Sequence, residues 1–244
     1  MTGNTLFNSA LSRRRFLSIA AAGAASASLT ACVSTPPPVV EDTGGFPPYS
    51  AEPGGIGDPA VMYAAMEDEG VMLPAIPYQK IDPQFYRQIV ENPTGEQPGT
   101  IVVHTPTRFL YLVMEGGQAL RYGVGIGRQG FSWQGHAHVQ WKQKWPKWTP
   151  PDDMIARQPE LAKYSAANGG MKPGLDNPLG ARALYLFQGN VDTLYRLHGS
   201  PEWWSIGKAV SSGCVRLMNQ DIIDLYDRVP NKTPVLVTAL ARTV

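Results

Sequence analysis

Charge is scarce in this chain and balanced in sign. Asp, Glu, Lys and Arg supply 17% of the 244 residues, below the quarter usual in globular chains, and that excludes a solvated charged coil. With 21 basic against 20 acidic residues the formal charge is +1, so there is no basic field for nucleic acid and no acidic tail. Long apolar runs are also missing. Beyond the N-terminus no stretch of about 20 strongly apolar residues occurs, which excludes a polytopic helical membrane protein. Cysteine is rarest: Cys32 and Cys214 cannot build a disulfide framework. No internal repeat is visible. What is plentiful is apolar content, 43%, with 25 Gly and 22 Pro. That fills one ordinary domain and leaves residues over for extras.

The extras begin at the N-terminus. Ser12-Arg13-Arg14-Arg15-Phe16-Leu17 precedes a weakly apolar Ala- and Gly-rich run, Ser18 to Ala31. A basic start, an apolar middle and a small-residue end read as an export signal and not as a spanning helix. The Arg pair resembles a twin-arginine signal. Leu29-Thr30-Ala31-Cys32 resembles a bacterial lipobox, in which the Cys thiol receives diacylglycerol and becomes the mature N-terminus; a plain signal cleaved nearby is the alternative. Removing residues 1–31 takes Arg13, Arg14 and Arg15 from the 21 basic residues and none of the 20 acidic ones, which leaves a formal −2. Residues 33–59, with Pro36-Pro37-Pro38, Gly44-Gly45 and Pro53-Gly54-Gly55, read as a partly extended tether.

Residues 60–98 form an N-terminal extension in which Val61 to Met72 and Pro83 to Val90 each suggest a short helix. At Thr100 the texture changes. Ile101 to His104, Phe109 to Met114 and Ala119 to Val124 are short β-rich runs separated by turn residues, the pattern of an antiparallel meander. Ala183 to Phe187, Leu194 to His198 and Val235 to Thr238 add strands. Residues 141–180, with Trp141, Trp145, Trp148 and Gly169-Gly170, read as a lid or binding loop. Asn219 is placed to cap a helix whose Ile222, Ile223, Tyr226 and Val229 make one apolar stripe. The fold class is mainly β (α+β), a single mixed-sheet or sandwich domain at 99–239 with one or two helices.

Export would leave Cys214 as the only thiol outside an anchor, and in an oxidising compartment such a thiol is a liability unless it is used or buried. Its setting is Ser211-Ser212-Gly213-Cys214-Val215-Arg216. Gly213 permits a tight turn and a close backbone approach. Extended backbone at 214–216 puts Cys214 and Arg216 on one face and Val215 in the core. A guanidinium there can lower the thiol pKa and bind a carboxylate with both arms. Sixteen residues earlier stands His198-Gly199. A nucleophilic thiol needs a base within reach and a third group to orient that base.

His198-Gly199 followed by Ser211-Ser212-Gly213-Cys214-Val215-Arg216 resembles the signature of the L,D-transpeptidase catalytic (YkuD) family. The resemblance covers about residues 99–238, including Asn177-Pro178-Leu179-Gly180 and Ala183-Leu184-Tyr185-Leu186. It implies that Cys214 is the acylated nucleophile and His198 its proton donor and acceptor, with the carbonyl of Gly199 orienting that ring. Backbone N–H groups of Gly213 and Cys214 would hold the oxyanion. Ser211 matches the family's Ser/Thr, Ser212 stands where relatives often have His, and Arg216 matches one branch's Arg; all three are candidate substrate contacts. The implied partners are peptidoglycan stem peptides, donor and acceptor, with an envelope protein as another acceptor. No cofactor and no metal are called for, and the membrane is met only through the lipid anchor. An L,D-carboxypeptidase or endopeptidase that trims wall peptides, and a non-enzymatic wall-binding lipoprotein, remain open.

Other signals carry less. Gly125-Ile126-Gly127-Arg128-Gln129-Gly130 fits the dinucleotide fingerprint by letter, but Phe131 to Val139 do not read as the helix that phosphate binding requires. His136 and His138 could share a strand face, yet no third ligand lies at diagnostic spacing. The Trp residues suit core packing as well as a groove, with Trp203-Trp204 best placed near the site. The lipobox makes the first prediction: Cys32→Ser moves the protein from the membrane to the soluble envelope fraction and leaves the kinetics of the purified domain unchanged. Sequencing of the mature N-terminus checks it, since a start at any residue other than 32 rejects the lipobox.

Overall fold

The computed structural model describes residues 57–127, 133–211 and 213–239. The export signal, Cys32, most of the tether and Ser212 lie outside these described residues. Within them the chain forms thirteen strands: β1 (Met66–Asp68), β2 (Val71–Leu73), β3 (Gln88–Glu91), β4 (Ile101–His104), β5 (Phe109–Val113), β6 (Gln118–Gly123), β7 (Ile126–Gly127), β8 (Gly135–Lys144), β9 (Arg182–Gln188), β10 (Val191–Ser200), β11 (Ala209–Ser211), β12 (Val215–Met218) and β13 (Pro234–Thr238). The α-helices are α1 (Pro59–Met62), α2 (Asp152–Arg157) and α3 (Asn219–Arg228). Nine strands make one mixed sheet in the order β12-β10-β9-β8-β13-β4-β5-β6-β3. Hydrogen bonds between Gly125 and Arg216, 2.9 Å each way, join the chain just after β6 to β12. These bonds and the sheet enclose a core of Ile101, Leu110, Leu120, Leu184, Leu197 and Val215.

β4, β5 and β6 pair antiparallel in sequence order, as the meander pattern predicts. Their runs are apolar without strict alternation because both faces are covered. Val103 and Leu110 face the main core, while Val102, Phe109 and Tyr111 face a second cluster with Phe85 and Val90. The cover comes from residues 60–98, and here the structure corrects the sequence. Val61 to Met72 is not a helix: after the single turn of α1 comes the hairpin β1–β2, whose turn residues Glu69 and Gly70 both have positive φ, as tight primed turns require. Pro83 to Val90 is not one either. It holds a 3-10 turn at Pro83–Phe85 and then β3, which pairs with β6 as the edge of the large sheet. An open edge offers hydrogen bonds and apolar cover that outweigh weak local helix preference.

α3 packs Ile222, Ile223 and Leu225 inward, with Val229 just past its end, at roughly 1.5–3 kcal/mol for each fully buried side chain. Asn219 is not its cap. That position belongs to Met218, without a side-chain bond, and Asn219 Oδ1 accepts from the Ala181 N–H at 3.0 Å. The acidic face of α3 ties down the extension. Arg87 lies 3.6 Å from Asp221 and 3.3 Å from Asp224, and the Gln220 amide donates to the carbonyls of Ala64 and Pro74.

The irregular stretch starts later than position 141, because Trp141 to Lys144 complete β8 against β9. From 145 to 181 it carries α2, a 3-10 turn at Pro159–Tyr164 and a Trp148–Met171 bridge. The Trp residues here do not gather into one groove: Trp145 joins the core with Leu73, Ala181 and Ile223, whereas Trp148 meets Tyr164. Asn177 knots the loop by donating to the carbonyls of Pro146 and Lys172 while accepting from Leu179 N–H. Gly180 then anchors it to the end of β10. With φ +59, a Cβ at Gly180 would lie 2.2 Å from Asn219 Oδ1 and 2.6 Å from the Gly199 carbonyl carbon. Gly180→Ala combines a left-handed backbone with overpacking, so it should cost about 2–4 kcal/mol. Chemical denaturation of the domain checks this; a change below about 1 kcal/mol would show that the loop end yields freely.

Candidate active site

β10 and β12 run parallel, with Leu197 opposite Val215 and His198 opposite Arg216. Paired residues share a face, so Leu197 and Val215 enter the core while His198 and Arg216 project from the other side. Just before β12, Cys214 lies two residues from Arg216, the residue opposite His198, and the Arg196 N–H and guanidinium both act on its thiol. A separation of sixteen residues thus becomes one strand spacing. Gly213 has φ +135, a conformation that a side chain would strain. It turns the chain into β12 with the thiol displayed, and a Cβ there would touch only the Tyr195 ring, at 3.9 Å. Tyr195 in turn stacks on Trp133, centroids 5.8 Å apart.

His198 is 4% exposed, and its Nδ1 lies 2.6 Å from the Gly199 carbonyl oxygen. A carbonyl only accepts, so the neutral ring carries its proton on Nδ1 and its lone pair on Nε2. Burial lowers this imidazole to about 4; the Gly199 carbonyl opposes that, and the charges of Arg216 and Arg196 add to it. The carbonyl of Pro178, from the loop anchored by Gly180, also faces the ring. At neutral pH His198 is therefore an uncharged base.

The thiol behaves differently from what its neighbours alone suggest. Cys214 is half-buried, with Sγ 3.9 Å from the Leu194 carbonyl oxygen. Burial pushes its pKa up, and the Arg196 N–H and the guanidiniums of Arg196 and Arg216 do not cancel that. The expectation that a nearby guanidinium lowers the thiol pKa is thus overturned in net direction, because desolvation outweighs the charges. Thiol and imidazole both start neutral, which suits proton transfer during attack and not a standing thiolate–imidazolium pair.

Two guanidiniums flank the sulfur, and each has a carboxylate. Arg216 pairs with Glu202, at the start of the 201–214 crossover, and not with an acid on α3. Arg196 pairs with Asp192 through both arms at 2.7 and 2.8 Å. Ser211 lies on β11, beside Gly127 of β7; Ser212 is outside the described residues. Arg196, Asp192, Glu202, Tyr195 and Trp133 did not emerge from the sequence. Period-two spacing before His198 could have found Arg196; nothing in the sequence pointed to Glu202. A cavity of about 210 Å³ lies at the end of β10, lined by Leu73, Ile76, Leu175, Ser200, Trp203 and Gln220. Among the described residues no three His, Cys, Asp or Glu side chains gather as a metal site, and His138 Nε2 is taken up by Gln140 at 2.7 Å.

These protonation states make a pH prediction. Alkylation of Cys214 by iodoacetamide should keep rising beyond pH 9, with no plateau near neutrality, and the His198 ring should titrate by NMR near 4. The depressed histidine also stabilises the fold fully above its ordinary 6.5, and that contribution is lost as pH falls towards 4 because only the unfolded chain accepts the proton readily. An alkylation plateau at pH 6 would mean a preformed thiolate.

The profile of the L,D-transpeptidase catalytic domain (YkuD) matches residues 98–237, more than half of the chain. A curated relative described as a probable L,D-transpeptidase, ErfK/SrfK of Escherichia coli K12, is 33% identical over 148 residues, covering 59% of this chain and 44% of the relative. YbiS of the same strain, described in the same terms, is 35% identical over 144 residues, with coverage of 55% and 43%. This chain therefore spans less than half the length of these curated relatives. Among solved structures, one from Brucella melitensis described as a probable carnitine operon oxidoreductase shares 47% identity over 63% of this chain and 94% of its own, with a TM-score of 0.45. With the profile matched over more than half its length, this chain belongs to the L,D-transpeptidase catalytic domain (YkuD) family.

Proposed function

We propose that this protein is a cysteine acyltransferase of the cell wall, a peptidoglycan L,D-transpeptidase. One observation carries the reading: a neutral His198, its Nδ1–H tied to Gly199, stands on β10 opposite Arg216, two residues past Cys214 at the entry to the adjacent parallel strand. In the reaction, His198 Nε2 takes the thiol proton as sulfur attacks the carbonyl of the third stem residue. The Gly213 and Cys214 N–H groups stabilise the oxyanion that forms. His198 returns the proton to the departing D-Ala amine, leaving a thioester. An amine of a second stem then attacks, His198 accepts its proton, and the thiol is restored with a 3→3 link. Water in that step gives L,D-carboxypeptidase activity, and a lysine of an envelope protein gives wall attachment.

Arg216, with Ser211 and Ser212 beside it in the chain, is assigned to the donor stem, its charge suited to a stem carboxylate. Export by the twin-arginine route and lipidation at Cys32 would place the domain in the cell envelope, on a tether reaching from the membrane.

The test is turnover of purified tetrapeptide muropeptides, read by mass spectrometry. The wild type should release D-Ala. Cys214→Ala should abolish release and covalent labelling by a carbapenem, and Cys214→Ser should lose on the order of 10³-fold or more in kcat/KM, because an alcohol is a poor nucleophile at this pH. Wild-type turnover in either variant would sink the thiol mechanism.

A further inference from the structure

On the sheet face that carries His198, one row of side chains runs across the strands away from the thiol. Arg196 of β10 pairs with Tyr185 of β9, and Tyr185 with Trp141 of β8. The Trp141 indole lies flat on the Tyr185 ring, with centroids 3.5 Å apart and planes 9° from parallel. The Arg196 guanidinium stands 4.4 Å from the same ring. With the Arg196 N–H and guanidinium acting on the thiol, the row runs from Cys214, just before β12, through Arg196 of β10 and Tyr185 of β9 to Trp141 of β8. Tyr185 is 9% exposed and Trp141 41%. A lone surface Trp needs no explanation. This one is set flat against a buried ring that is itself covered by a clamped guanidinium, so its orientation is fixed before anything binds.

We propose that Trp141 is a sugar-binding subsite that holds the glycan end of the donor stem while Cys214 attacks its third residue. The proposal rests on the wall-peptide reading above and deepens it. Strands lie about 4.8 Å apart, so three spacings put Trp141 about 14 Å from the strand that leads out of Cys214. From the third residue's carbonyl back to the sugar there are three residues and the lactyl group. These four units span about 13–14 Å when extended. A pyranose presents a face of C–H groups that packs on an aromatic ring, and a pre-set Trp offers that area at little entropy cost. The chemistry of the row favours a neutral ligand at its outer end: its only cation, Arg196, is already held by both oxygens of Asp192.

The experiment compares kcat/KM for a disaccharide-tetrapeptide and for the free tetrapeptide, using wild type, Trp141→Ala and Trp141→Phe. Trp141→Ala should lower kcat/KM for the disaccharide substrate by about 2- to 12-fold, the range of one aromatic contact, mainly through KM. It should leave the free tetrapeptide unchanged, and Trp141→Phe should recover part of the loss. An equal change on both substrates, or on neither, overturns the sugar subsite alone. A wild type that turns over neither substrate overturns the wall-peptide reading and the subsite with it.

Discussion

The parallel pairing of β10 with β12 is the constraint on which the site depends. Parallel strands require a crossover, and here residues 201–214 carry a 3-10 turn at Trp203–Ser205 and the short β11, with no α-helix among the described residues. Once Leu197 meets Val215 in the core, His198, Arg216 and Cys214 have no choice of face. A slip of β12 by one residue would turn Arg216 inward and Val215 and Leu217 outward, so the burial that stabilises the sheet also aligns the site.

Burial then sets the protonation states. The interior that fixes His198 also lowers its pKa and raises that of Cys214. Neither group is charged at rest, and no charged pair has to be desolvated to keep the site ready. In the proposed reaction, Arg196 and Arg216 gain importance as negative charge develops on sulfur and then on the oxyanion. Their carboxylate partners, Asp192 and Glu202, hold the guanidiniums in place.

The segment before the family domain is part of this architecture. β3 completes the sheet edge, and Phe85 packs so closely on Gly123 and Gly207 that a Cβ at either would lie 2.5 Å from it. Gly207 belongs to the crossover between His198 and Cys214, so residues 60–98 buttress the loop that links these two residues. Asp68 reaches the start of β9 and pairs with Arg182 through both arms.

Much of the fold was legible in the sequence because strands and turns have local signatures. The β4–β6 meander, the strands around Leu184, Leu197 and Val235, and the apolar stripe of α3 follow from residue patterns of period two or 3.6. The motif His198-Gly199 with Gly213-Cys214-Val215-Arg216 pointed to the family by itself, since residue type and order carry the resemblance. Other features escaped local reasoning. Residues 61–72 and 83–90 have weak helix preference, and it was the open sheet edge and the uncovered faces of β4–β6 that decided their structure. Asn219 reads as a cap but was taken by the Ala181 N–H, a contact 38 residues away that only packing creates. The net direction of the Cys214 shift, the pairing of Arg216 with Glu202 and the row from Arg196 to Trp141 depend on desolvation and on distances across strands. Sequence alone determined which groups are present and on which side of a strand each one falls; tertiary structure decided their partners and their protonation, because both depend on what is excluded from water.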